Sequence, residues 1–339
     1  MLATDPLKSL KDPRELMTLP RDATPYEFPQ MMRVEKFFER QFARKKLKQL
    51  RVFDPVIRSM LRPGERVFYL TQGVRNNFLE QQFFGWAAYY FSRSAFVFTD
   101  QRVLILHLLA ERKLGHFVGE IHYDDIARLK PTFFGGLLLK FRTKKQIVFA
   151  HVPARDRKFI KEFLLPMIEG NEALGQGGQE IRHLCPACYS PCADATASAC
   201  SACGCKFKTP KAAAMRSLIL PGMGDYYLGS SLGLLEMTVV GAMWAYFVAM
   251  LLMIYSPAVP NEEGLVAEEA ITFGAILLVG HLMDALKTYY MAKKGVFSKR
   301  NIKKIRAEQN REGWRPETST SAPATAEPPA NTPSTGAAV

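Results

Sequence analysis

The chain has 339 residues, 48% of them hydrophobic and 23% charged, and a formal net charge of +13. Its length implies two or three folding units rather than one core. The charge leaves nucleic acid, anionic lipid or the positive-inside bias of a membrane protein as its explanation, and the concentration of apolar residues in the C-terminal third favours the membrane.

Residues 1–28 are interrupted by Pro6, Pro13 and Pro20 and carry no sustained hydrophobic period, so a flexible segment without a secretory signal is expected, with the soluble part in the cytosol. Over 29–61, Met31, Val34, Phe38 and Phe42 recur every three or four residues, while Arg33, Lys36, Arg40, Arg44 and Lys48 lie largely elsewhere. This is the pattern of a basic amphipathic helix. Two uses of it stand: packing Phe38 and Phe42 onto the next domain, or adsorbing through the five basic residues to anionic lipid.

From 62 to 170 the pattern changes to short β-type runs at 66–72, 91–99, 102–109, 116–122, 126–131, 136–141 and 146–151, several of them separated by turn residues. A helix follows, because Phe159, Phe163, Leu164 and Met167 repeat at helical spacing after a polar run. Seven strands closed by one helix, with Pro63-Gly64-Glu65 opening the first strand and Phe98-Thr99-Asp100-Gln101-Arg102-Val103 marking a hairpin, resemble the bacterial pleckstrin-homology-like (PH-like) domain. The resemblance implies a binding scaffold without a catalytic motif, taking a protein segment or a lipid headgroup. The aromatic insert 78–90 is longer than the first two strands of such a domain require.

All six cysteines fall between Cys185 and Cys205, after a linker at 171–182. Cys185 and Cys188 form one C-x-x-C pair, Cys200 and Cys203 another. Each pair lets two thiolates of one tight knuckle face a single ion, and two knuckles complete a tetrahedron. Over 183–209 this resembles a short zinc ribbon, which implies one structural zinc and no open coordination position for catalysis. Cys192 and Cys205 are surplus to that set and are read as buried thiols, with ligand exchange or redox chemistry as the alternative. A disulfide framework competes for all six, and fails if the segment is cytosolic. The loop 189–199 holds no lysine or arginine, so nucleic acid is not an expected partner.

The run 237–255 is uncharged and about as long as a bilayer core, and 270–292 is nearly so, interrupted by His281, Asp284 and Lys287. The loop 256–270 holds four glutamates and no lysine or arginine, whereas Lys206, Lys208, Lys211 and Arg216 precede the pair and a basic segment, 296–315, follows it. That asymmetry predicts two crossings of a bacterial inner membrane with both termini cytoplasmic. Leu220-Pro221-Gly222-Met223-Gly224-Asp225-Tyr226-Tyr227-Leu228-Gly229 and Asp284-Ala285 resemble the small two-transmembrane-helix hairpin family over 212–295, although Asp225 stands where an uncharged polar residue is expected. Glu236, His281 and Asp284 are expected to meet in one polar cluster, with pairing of Asp284 to a snorkelling Lys287 as the alternative. Gly241, Ala245 and Ala249 form a small-residue stripe suited to close approach of another helix, including one from a second copy. Residues 316–339 are too poor in apolar bulk to order.

The fold expected is therefore a multi-domain membrane protein: an α+β PH-like barrel or sandwich with a C-terminal helix, a zinc ribbon, and an α-helical transmembrane hairpin. His107, His116, His122, His151 and His183 are scattered in strand-like or linker contexts that suit packing or hydrogen bonding, and no catalytic set is evident, so an enzyme is not expected. A membrane-anchored adaptor or sensor with an unidentified protein partner is the leading function. A small oligomeric channel or transport accessory built on the hairpin is the alternative.

Overall fold

The computed structural model describes residues 24–32, 37–75, 89, 91–110, 113–132, 136–170, 180–192, 196–254, 263–301, 304, 305 and 307. Helix α1 (Phe28–Met32) and helix α2 (Phe37–Met60) lead into seven antiparallel strands: β1 (Val67–Arg75), β2 (Arg93–Thr99), β3 (Arg102–Ala110), β4 (Lys113–His122), β5 (Ile126–Pro131), β6 (Leu137–Phe141) and β7 (Gln146–Ala150). Helix α3 (Ala154–Gly170) and a short strand β8 (Arg182–Leu184) follow. The sheet order is β5-β6-β7-β1-β2-β3-β4-β8.

Successive strand residues point to opposite faces, and here both faces are buried. Ala95 and Val97 of β2 join one core with Leu70, Leu104, Leu106 and the α2 residues Leu47, Leu50, Phe53 and Ile57. Phe96 and Phe98, one step out of phase, join a second core with Val103, Ile105, Phe141, Phe149 and the α3 residues Phe159, Ile160 and Leu164. The central strands are consequently apolar on both sides rather than alternating, and the sheet is layered between α2 and α3.

The single helix expected over 29–61 is two helices, with 33–36 outside the described residues. The buried stripe of α2 runs through Ala43, Leu47, Leu50, Ile57 and Met60. Phe42 lies one residue, or about 100°, off that stripe, and at 62% exposed it does not pack onto the sheet. Arg44 and Lys48 are exposed on α2; Arg33 and Lys36, and the side chains of Phe38 and Arg40, lie outside the described set. So do most of the aromatic insert, residues 171–179 and the tail 316–339.

The cysteine segment is not a separate unit from the sheet. Strand β8 pairs antiparallel with β4, Val118 to Leu184 and Glu120 to Arg182, so the last residues before Cys185 extend the sheet edge. Beyond the cysteines, strand β9 (Phe207–Lys208) pairs with strand β10 (Phe297–Ser298), which follows the last long helix. Residues 209–296 are therefore a loop closed at its base.

Four helices fill that loop: α4 (Pro210–Ile219), α5 (Met223–Leu228), α6 (Leu232–Ile254) and α7 (Glu263–Ala292). Thr209 caps α4 by accepting from the Ala212 amide, and Pro210 takes the first position, where its missing N–H matters least. The turn 220–222 breaks the helix at Pro221, and Gly222 adopts φ 86°, a left-handed conformation that favours glycine. A Cβ at Gly224 would lie 2.4 Å from the Ala213 carbonyl and from the Ser217 hydroxyl, so α5 folds back against α4 at backbone distance. Ala213 and Leu228, at the open end of this pair, share a small core with Met291, Ala292 and Phe297, and with Phe91 and Phe117 of the β-region. The close approaches thus fall at Gly222, Gly224 and Gly233. Among the described residues, a Cβ at Gly241 would meet nothing within 4 Å, and the Gly241-Ala245-Ala249 stripe is exposed.

Helices α6 and α7 are each long and apolar enough to cross a membrane, and both begin before the expected positions, at Leu232 and Glu263. Their outward residues, including Leu235, Leu252, Ile271 and Leu278, are more than half exposed.

Candidate metal centre and buried ion cluster

The two C-x-x-C pairs fold as matching knuckles. The Tyr189 amide donates to the Cys185 carbonyl and the Cys185 amide to the Ser190 carbonyl; in the second knuckle Gly204 donates to Cys200, and Cys200 to Cys205. The fifth residue of each turn is left-handed, Gly204 at φ 67° and Tyr189 at φ 56°. Glycine is at ease there, whereas a tyrosine is held by its surroundings, and Tyr189 packs into the first core.

All four Sγ atoms of Cys185, Cys188, Cys200 and Cys203 lie within 4.8 Å of one another. Cys185 is 3.7 Å from Cys203 and Cys188 is 3.6 Å from Cys200, one sulfur from each knuckle in both cases. Zinc–sulfur bonds of about 2.3 Å give a tetrahedron with edges of about 3.8 Å, which these spacings fit. The Ala187 amide points at the Cys185 sulfur from 3.4 Å, as expected of a knuckle that stabilises thiolate charge. A hydrogen bond between Cys185 and Cys188 lowers Cys188 to about 4 and raises Cys185. Such sharing of a proton is what a divalent cation replaces. These four cysteines can hold a metal ion. Cys192 is pushed up to about 12, first by burial and then by the neighbouring thiols, and Cys205 is buried 3.4 Å from the Ser298 hydroxyl of β10.

The second constellation centres on Lys287. Its ammonium lies 3.0 Å from Asp225 and 3.1 Å from Glu236, and it also meets Asp284 at 2.5 Å. The Gly222 amide donates to Asp284 at 2.8 Å, and Thr288 donates to Asp225 at 3.0 Å while pairing with Ser217 at 2.9 Å. The three carboxylates are near enough to one another to bind a cation, and the lysine supplies one. Glu236 and Asp284 are brought together as expected, with Lys287 as their common partner. His281 is not in the cluster: it accepts from the Trp244 indole at 3.0 Å, which leaves Nδ1 to donate to the Leu218 carbonyl at 2.9 Å. One turn of α7 and the α4 terminus separate it from the acids. Asp225 is the member that sequence reasoning missed. Its only signal was being the one acidic residue between Lys206 and Leu235, out of place in the hairpin motif.

The turn motif Thr99 to Arg102 is tied into a buried ion network. Arg102 sends Nε and Nη2 to Glu65 at 2.9 and 2.8 Å and Nη1 to Glu120, and Nη2 also reaches the Met60 carbonyl at 2.7 Å. Thr99 donates to Glu65 at 2.7 Å. All four side chains are buried, so the two motifs 63–65 and 98–103 are halves of one structural ion pair.

No protein-family model and no curated protein matches the chain. Among solved structures, the crystal structure of the C-terminal domain of an unknown protein from Leishmania infantum aligns over 34% of this chain and 94% of its own, at 14% identity and a TM-score of 0.24, too slight a likeness to bear on fold or function.

Proposed function

We propose that the chain is a membrane-anchored adaptor or sensor: α6 and α7 cross the bilayer with both termini cytoplasmic, a zinc ion joins the two knuckles, and the PH-like β-region binds its target at the membrane surface. The observation that carries this reading is the loop 209–296. Its ends meet at β9–β10 on one side, its long helices turn apolar residues outward, and its charged residues Asp225, Glu236, Asp284 and Lys287 turn inward onto each other. Ionisable groups are tolerated in a bilayer when they pair in this way. Zinc is favoured over other metals because four thiolates in a tetrahedron suit it and complete its coordination, leaving no position for catalysis.

Two measurements test this. Glu263→Cys and Ser319→Cys should react with an impermeant maleimide from opposite sides of the membrane, above the reactivity of the parent chain. Reaction from the same side defeats two crossings. Elemental analysis should find about one zinc per chain, and a metal-free, folded, disulfide-bonded protein defeats the metal site.

A second reading, a small channel or transport accessory, is favoured by the α4–α5 pair. Its turn at 220–222 reaches Asp284, about 12 Å before the end of α7 at about 1.5 Å per residue. Broken helices within a bilayer are sustained only against protein or a wet cavity. Exchange of 209–296 for an unrelated anchor separates the two: an adaptor keeps its function and a pore loses it.

A further inference from the structure

A hollow of about 620 Å³ opens between the end of α4, α5 and the start of α6. Its form follows from the turn after α5. Gly229 ends that helix in the left-handed region, at φ 101°, and a Cβ there would lie 2.7 Å from the His116 ring, so the chain turns closely over β4 before α6 begins. Ser230 then fixes the start of α6 by accepting from the Leu232 amide at 3.3 Å. Ser230 and Ser231 thus form one wall of the hollow, with Arg216 and the two tyrosines of α5 opposite.

Two cations meet here, and their partners are neutral. The Arg216 guanidinium lies 4.0 Å from the centre of the Tyr227 ring and donates to the Ala212 carbonyl at 2.9 Å. The Lys208 ammonium lies 5.2 Å from the centre of the same ring and donates to the Tyr227 carbonyl. Among the described residues neither cation has a carboxylate partner. Asp225, the one acidic residue of 206–235, is held instead by Lys287 and Thr288. Burial first, and then Arg216, holds the Lys208 ammonium below its usual range, the direction expected of a cation without an anion beside it. The N-terminal end of α6 has the same sign.

Depth selects the anion. The apolar span of α7 has 25 residues, about 37 Å at about 1.5 Å per residue against a hydrocarbon core of about 30 Å, so its ends stand among headgroups. Ser217 pairs with Thr288, one turn before Ala292, which brings the neighbouring Arg216 to that level. Ile219, Met223 and Tyr226, around the opening, are exposed. We infer that the hollow binds an anionic phospholipid of the cytoplasmic leaflet, its phosphate between Arg216 and Lys208, its glycerol side on Ser230 and Ser231, and its acyl chains along Ile219 and Met223. The inference rests on the membrane-crossing reading and adds to it a lipid held at one place.

The test uses the full chain in detergent and native mass spectrometry with added phosphatidylglycerol, phosphatidylcholine and glycerol 3-phosphate. Phosphatidylglycerol should be retained at one per chain, at least about fivefold more tightly than phosphatidylcholine, whose choline offsets the phosphate charge. Glycerol 3-phosphate, which has the phosphate without the chains, should not displace it. Arg216→Gln and Lys208→Gln should each weaken retention about fivefold, the share of one basic residue at the membrane surface. Arg216→Lys, which keeps the charge, should restore most of it, and Lys299→Gln, exposed beyond α7, should leave it unchanged. Equal retention of the two lipids, displacement by glycerol 3-phosphate, or indifference to both the Arg216→Gln and Lys208→Gln variants overturns the inference. So does a dimer that excludes lipid and dissociates in Arg216→Gln, since a second copy would then fill the hollow. Maleimide labelling at Glu263→Cys does not depend on this site, so two crossings without lipid selectivity defeat the inference alone, whereas same-side labelling defeats the reading beneath it.

Discussion

Two buried ion networks hold this molecule together, and they are built differently. In the β-region one guanidinium serves two carboxylates, Arg102 with Glu65 and Glu120, and the planar fork makes paired contacts with Glu65. In the helical region one ammonium serves three, Lys287 with Asp225, Glu236 and Asp284, as a point charge. The first is matched in direction and needs each part. The second has an excess of acid, so no single carboxylate is essential to it.

The largest expected effect is that of Arg102→Met, which leaves Glu65 buried without its cation and Glu120 with only His122 and the more distant Arg62. Denaturant unfolding of the β-region should show a loss of about 3–5 kcal/mol; a loss under 1 kcal/mol would remove the contrast. Acid should act on the same network. Burial raises Glu120, but His122 and Arg102 outweigh it and lower it from 4.5 to about 2. A depressed carboxylate stabilises the fold above its unfolded value and ceases to do so as pH falls through the folded one. Stability should therefore drop between pH 4.5 and about 2, by at most about 3 kcal/mol, and Glu120→Gln should flatten that part of the pH profile. Lys287→Met should cost somewhat less than Arg102→Met, about 2–3 kcal/mol by thermal unfolding, because Asp284 and Asp225 keep their hydrogen bonds from the Gly222 amide and Thr288. The smallest change belongs to Asp225→Asn, under about 1 kcal/mol, because asparagine can still accept from Thr288 and two carboxylates remain on Lys287. A loss as large as that of Lys287→Met would show the three acids to be as indispensable as the two in the β-region.

The same contrast explains what could be read in advance. Arg102 and its paired Glu65 lie in short motifs, Pro63-Gly64-Glu65 and Thr99 to Arg102, with only Glu120 outside them, and the region around them was legible: the seven strand segments and the helix after them emerge within a few residues of their expected places. The cysteines were legible for a related reason, since their chemistry is local and Cys200 lies 15 positions after Cys185. The lysine cluster joins α5, α6 and α7, and nothing in helical spacing ties Asp225 to a residue 62 positions away. Phe42 misled because helical spacing alone does not choose between neighbouring stripes, and the one that meets the sheet runs through Ala43, Leu47 and Leu50, one residue away. Attachment of β8 to β4 depends on an edge that becomes visible only when the sheet exists.

The pairing of β9 with β10 has a mechanical consequence. Tension applied to the chain beyond Ser298 passes across that ladder into the cysteine knuckles and through β8 into the main sheet, and also directly into β4 where Phe297 packs on Phe117. The long helices lie outside this load path. A pull from the C-terminal side would first shear a ladder of two residue pairs, Phe297 with Lys208 and Ser298 with Phe207, before any force reached α7 from its apolar end. Force spectroscopy from that terminus should accordingly register an early, small rupture ahead of unfolding of the long helices.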